Sequence, residues 1–297
     1  MNLDTKTLMK KFSIRPTKSL GQNFLTDEGV LKKIAGAAEL TKNDIVLEVG
    51  PGLGSLTAQL AENAGAVLAV EIDRHLIPAL RESLGSYPNI HIIHGDIMRI
   101  DPENELRPYI KDGEGTDRQL KVVANLPYYI TTPVIMKLLE SGLKAKTMVF
   151  MVQKEVADRM RAKPGGKDYG ALSVAVQYYS KPSIVLDVPP HSFIPQPDVD
   201  SSVIRLDIYD KAPVELRDKE LFFRLVKASF GQRRKTLVNA LNNAGLFSRG
   251  KDEIKMVLSE IGIEENRRGE TLSIEQFAQL SNIIHDRQHE PDKRADD

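Results

Sequence analysis

No cysteine occurs in the 297 residues. That absence removes disulfides, thiolate metal sites and cysteine nucleophiles together, and it fits a reducing compartment. No apolar run approaches the roughly twenty residues a membrane-spanning helix needs. The opening Met1-Asn2-Leu3-Asp4-Thr5-Lys6 lacks the apolar core of a secretion signal. A soluble cytoplasmic protein without a membrane partner is the expectation. Net charge is missing too, since 41 basic residues stand against 41 acidic ones. A polyanionic partner therefore has to be argued from local clusters. Internal repeats and low-complexity segments are absent as well. The length suffices for one large domain or two smaller ones.

What is present is organised around Asp44-Ile45-Val46-Leu47-Glu48-Val49-Gly50-Pro51-Gly52-Leu53-Gly54-Ser55. The apolar, β-branched start has the composition of a buried parallel strand. Glycines at alternate positions follow, and then Leu56–Glu62 carries apolar residues at helical spacing. Strand, glycine turn and helix N-terminus make a cradle: the backbone passes close to a ligand and first-turn amides point at it. The spacing is Gly-x-Gly-x-Gly and not the Gly-x-Gly-x-x-Gly of dinucleotide enzymes. Glu48, just before the first glycine, would repel a pyrophosphate. A carboxylate there suits a cationic or zwitterionic ligand such as S-adenosylmethionine, with its sulfonium and ammonium. An ordinary tight strand-to-helix turn is the plainer alternative.

Residues 1–24 are basic and read as irregular, with Lys6, Lys10, Lys11, Arg15 and Lys18 against Asp4. They form either a solvated tail or a phosphate-contacting arm. Asp27 is a candidate N-cap for a helix from Glu28. Further strands are expected over 66–73, 89–94, 120–124 and 147–152, with helices between them. His91 and His94 alternate with isoleucines and have no third ligand nearby, so no metal site is expected. The polar stretch 101–117 reads as a surface excursion. Alternation of strand and helix through residue 180 calls for a doubly wound parallel sheet, closed by an edge hairpin over 183–188 and 202–209. Beyond residue 210 only helical patterns remain. The division expected is therefore an α/β domain over 1–210 and a small all-α domain over 211–297, with the charged end from His289 unstructured.

Successive strands each deliver a polar group at the C-terminal end: Glu48, Glu71, Asp96 and Asn125. Doubly wound sheets place their ligand groups on that edge. Glu71 lies roughly twenty residues beyond the first glycine, where a carboxylate accepts both hydroxyls of an adenosine ribose. Asp96 suits the adenine amine, and Gly50 the approach to the methionine part. Asn125-Leu126-Pro127-Tyr128 is the sharpest signal. An exocyclic amine is hard to methylate because its lone pair is delocalised into the ring. The Asn125 side-chain oxygen and the Leu126 carbonyl can accept its two N–H hydrogens and free that lone pair. Pro127 fixes the turn, and Tyr128 offers a flat face for a base. Catalysis of this kind is positioning plus electrostatics without a covalent step. A structural turn carrying an aromatic pair is the alternative.

The set Gly21–Leu25, Glu48–Gly54, Asn125–Tyr128, Phe193-Ile194-Pro195-Gln196-Pro197 and Phe230–Thr236 resembles the ribosomal RNA adenine N6-dimethyltransferases, most of all the bacterial small-subunit enzymes. The resemblance spans essentially the whole chain. It implies a Rossmann-like class I methyltransferase fold and two methylations on each of two adjacent adenosines near the 3′ end of 16S rRNA. The donor would be S-adenosylmethionine, the partner the small ribosomal subunit or its precursor, and the enzyme a monomer. Carried over by position, Asn23, Leu25, Gly50, Glu71, Asp96 and Asn125 contact the cofactor, and Asn125, Tyr128 and Phe193 hold the target base. Phe193 could equally be packed in its loop. Arg233, Arg234 and Lys235 are either a solvated helix start or contacts to the RNA backbone. Two other readings are weighed: a 23S rRNA dimethyltransferase conferring macrolide resistance, and a non-catalytic assembly or transcription factor on the same fold. The intact glycine turn and Asn-Leu-Pro-Tyr turn speak against the last.

Overall fold

The structure is a computed structural model and describes residues 5–111, 117–247 and 250–289. In chain order its elements begin with α1 (Thr5–Lys11), β1 (Phe24–Leu25), α2 (Glu28–Ala37), β2 (Asp44–Val49), α3 (Ser55–Asn63) and β3 (Ala66–Glu71). Next come α4 (Ile77–Leu84), β4 (Ile90–His94), α5 (Pro102–Leu106), β5 (Gln119–Asn125), α6 (Thr131–Glu140) and β6 (Ala145–Gln153). Then follow α7 (Lys154–Arg161), α8 (Ala171–Tyr179), β7 (Ser180–Val188), β8 (Phe193–Ile194) and β9 (Ser201–Ile208). Helices α9 (Lys219–Gly231), α10 (Leu237–Asn243), α11 (Gly250–Glu260) and α12 (Ile274–His289) close the described chain.

Two compact units emerge, Met1–Ala157 with Ser180–Tyr209, and Asp158–Tyr179 with Asp210–Asp297. The first is built on a seven-stranded sheet of order β4-β3-β2-β5-β6-β9-β7. Strands β2 to β6 pair in parallel, and β9 and β7 add the expected antiparallel edge. Val46, Val67, Val123 and Val149 face one apolar layer, which α2 and α3 help to fill. The alternate positions Ile45, Leu47, Leu68, Val122 and Phe150 are buried as well, so both faces are covered. Strand order reverses between β2 and β5, which opens the ligand crevice of such sheets at their C-terminal ends.

Three expectations need correction. The N-terminal arm is not irregular: Thr5–Lys11 is helical, and Leu8 packs with Phe24, Leu53, Leu76 and Ala79. Its lysines occupy the exposed side while Leu8 and Phe12, four residues apart, share the inner one. The stretch 101–117 is not merely a surface excursion, because Pro102 and Leu106 are buried and Tyr109 stacks on His91 at 4.0 Å. Gly113 and the centre of that stretch lie outside the described residues. Residues 158–179 join the helical unit although they precede β7, because Tyr169, Val174 and Tyr178 share an apolar cluster with Phe222, Leu225 and Phe277. The Tyr169 hydroxyl donates to the Leu272 carbonyl at 3.0 Å. Helix α12 runs to His289, and the residues after it lie outside the description.

Candidate functional site

The loop after β2 lines a cavity with the Gly21–Leu25 segment, the end of β3 and the turn after β5. Gly50 and Gly52 adopt φ of 71° and 60°, where a side chain is strained. A Cβ on Gly52 would also lie 3.2 Å from the Phe24 ring. Glu71 ties this loop to β3: its Oε2 accepts from Gly52 N at 3.1 Å and its Oε1 from Asp73 N at 2.8 Å. Burial raises its carboxyl above the usual range, against the lowering effect of those bonds. Glu48 is 1% exposed, and burial lifts its carboxyl to about 8.

Asn125 leaves β5 opposite this loop, with Ala124 in register with Val49. Its Nδ2 donates to the Asn23 carbonyl at 3.2 Å, which leaves Oδ1 as the free acceptor. Leu126 buries its side chain, and its N–H donates to Met151 O at 3.1 Å. The Thr131 hydroxyl donates to Pro127 O at 3.0 Å and holds the turn closed. The Tyr128 hydroxyl and Ser201 Oγ share a 2.6 Å hydrogen bond that anchors the ring from β9. Burial raises the Tyr128 phenol, so it stays neutral.

The structure thus gathers Asn23, Leu25, Gly50, Glu71, Asn125, Leu126 and Tyr128 around one cavity. Asp96 is not among its lining residues. It follows β4, accepts from Met98 N at 2.8 Å and faces Arg99 at 3.4 Å. Phe193 is placed differently from the stacking expectation: it is 2% exposed, sits in the apolar core, and pairs in register with Leu25. Leu25, its register partner in the same apolar cluster, lines the cavity. Arg233 is also more engaged than expected. It donates to Lys167 O at 2.7 Å and pairs with Glu270 at 3.3 Å within the helical unit, although it is exposed like Arg234 and Lys235. These three residues lie in a turn before α10, not in the helix expected from Arg233. Sequence reading missed Gln22, whose side chain donates to Asp73 Oδ2 at 2.8 Å and accepts from Thr17 N. It also missed Tyr129, 55% exposed at the cavity. Among the described residues, no group of three His, Asp or Glu side chains is arranged to hold a metal ion.

The donor set fits S-adenosylmethionine. A glycine cradle, a carboxylate at the end of β3 and a second, buried carboxylate with an unpaired oxygen suit an adenosine bearing a positive centre. Comparison with known proteins points the same way. The family described as Ribosomal RNA adenine dimethylase matches residues 14–286. A Ribosomal RNA small subunit methyltransferase A of Alkaliphilus oremlandii is 53% identical over 280 residues, covering 94% of this chain and 96% of that protein. Its namesake from Clostridioides difficile is 50% identical, covering 94% of each. A dimethyladenosine transferase structure from Plasmodium falciparum is similar with a TM-score of 0.74 at 28% identity, over 89% of this chain and 98% of that one. The 23S rRNA methyltransferase ErmE follows with a TM-score of 0.66 at 27% identity, over 89% and 100%.

Proposed function

The chain belongs to the ribosomal RNA adenine dimethylase family, and from that premise we propose that it dimethylates N6 of two adjacent adenosines near the 3′ end of 16S rRNA. It is an S-adenosylmethionine-dependent methyltransferase of the class I fold. The bound cofactor supplies an electrophilic methyl group on its sulfonium. The chain supplies position. Gly50 to Gly54 bring the backbone against the methionine part, and Glu71 receives the ribose. Asn125 Oδ1 and the Leu126 carbonyl accept the N–H hydrogens of the target amine and draw its lone pair out of the ring. Asparagine is neutral and so does not hold a charge against the aminium product. Tyr128, fixed through Ser201, gives the base a face to stack on once it has left its helix. Phe193 supports Leu25 from the core and needs no exposure for that role.

The observation that carries this reading is the hydrogen bond from Asn125 Nδ2 to Asn23 O, which commits the amide nitrogen and leaves Oδ1 as the acceptor of a residue that lines the cavity with the glycine loop. The helical unit, with Arg234 and Lys235 exposed, is proposed to contact the phosphate backbone of the small subunit or its precursor, with the enzyme acting as a cytoplasmic monomer. Incubation with labelled S-adenosylmethionine and separated undermethylated subunits tests it. Label is expected in the small subunit. Label confined to the large subunit would instead establish the 23S reading, and no label would leave only a binding role.

A further inference from the structure

Two carboxylates line the cavity, and no Lys, Arg or His is among the lining residues. Glu71 is satisfied by the N–H groups of Gly52 and Asp73. Glu48 is not: its Oε2 is buried without a hydrogen-bond partner. Its neighbours in register are Ala69 of β3 and Val123 of β5, both fully buried and apolar. From α3 the Thr57 hydroxyl lies close enough to favour the carboxylate, yet it makes no well-aligned bond. The charged group facing Glu48 is Glu71, of like sign. Ionisation in such surroundings is costly until a cation arrives.

We propose that Glu48 is a protonated acid in the free pocket and gives up its proton when the cationic methionine portion of the cofactor enters, so that cofactor capture releases a proton. The inference rests on the cofactor assigned above. One O–H bond breaks, the proton passes to solvent, and the carboxylate left behind neutralises the arriving charge. Burial and the Glu71 charge hold the free acid at about 8, so the neutral form prevails at pH 7. Affinity should then rise with pH by at most about tenfold per unit and level off above that value. The ligand's own ammonium titrates near pH 8, so the effect is read against Glu48→Gln, whose amide mimics the protonated acid.

The test is titration calorimetry of the full chain with S-adenosylmethionine at pH 7, in two buffers of different ionisation enthalpy. Release of about one proton is expected from the parent, with almost none from Glu48→Gln. The pH dependence of affinity below pH 8 should flatten in the variant. S-adenosylhomocysteine separates the two cationic sources. An equal proton count would assign the effect to the ammonium, and a smaller one to the sulfonium. A parent that binds the cofactor without releasing a proton would overturn the inference, and that reading needs no variant. Equal counts in parent and variant would overturn it too. Failure to bind at all would remove the cofactor assignment beneath it.

Discussion

Glu71 accepts from Gly52 N and Asp73 N, so the carboxylate placed to meet a ribose also holds the glycine turn. Glu71→Ala should weaken S-adenosylmethionine binding by about 1–3 kcal/mol, the range for lost charge-assisted hydrogen bonds. Because the residue is buried, the substitution should also lower Tm. Unchanged cofactor affinity by calorimetry would remove Glu71 from the site. Asn125→Ala separates chemistry from binding. It should cut the single-turnover methyl-transfer rate by roughly 10²-fold or more, while RNA affinity changes little. A variant that dimethylates at the parent rate would end the proposed role. Glu48 makes a stability prediction. Its folded-state value of about 8 lies above the ordinary 4.5, so the native state retains a proton that the unfolded chain gives up. Its contribution is full below about pH 4.5 and is lost as pH rises through about 8, by up to roughly 1.4 kcal/mol per unit. Denaturant unfolding of the cofactor-free protein at pH 5.5 and 8.5 should show the parent losing stability relative to Glu48→Gln. Parallel losses would contradict the burial argument.

Among the elements, α1 has the clearest consequence. Leu8 reaches the same apolar cluster as Leu53 of the glycine loop, so the arm helps to fix the cradle. Leu8→Ala should cost about 2–4 kcal/mol of local packing. Amide hydrogen exchange should speed up over 5–12 and the glycine loop and stay unchanged in the central strands. Uniform acceleration would mean that α1 is not a separable element. The sequence revealed the chemistry of the turns better than the packing of the segments around them. Gly-x-Gly-x-Gly after a β-branched run, and proline after Asn-Leu, each constrain the backbone in a way that can be read locally. The N-cap role of Asp27 was legible for the same reason, and its side chain accepts from Gly29 N and Val30 N. Helix α1 was obscured because the count of lysines outweighed the Leu8–Phe12 spacing. The sequence leaves Phe193 open between two roles and puts α8 in the α/β domain on a different ground: which surface an aromatic or an amphipathic helix meets is decided by distant partners. Leu25 decides it for Phe193, and Phe222 with Leu225 for Tyr178.

At the scale of the whole molecule, a chain with no net charge has to meet a polyanion through local clusters. Arg234→Glu with Lys235→Glu should weaken subunit binding at low salt and reduce the salt slope by roughly one unit per lost phosphate contact. Cofactor affinity should stay as it was. Arg233→Glu should in addition destabilise the helical unit, because its partner Glu270 would be left facing a like charge. An affinity and salt slope matching the parent in the double variant would show that this turn does not meet RNA. The central claim is tested most directly by mapping the product. Undermethylated small subunits are treated with the enzyme and S-adenosylmethionine, and the rRNA is digested and its modified nucleotides located by mass spectrometry. The account predicts N6,N6-dimethyladenosine at two adjacent positions near the 3′ end of 16S rRNA, lost when Asn125 is alanine. Methyl groups on another atom, at unpaired positions or only in 23S rRNA would contradict it.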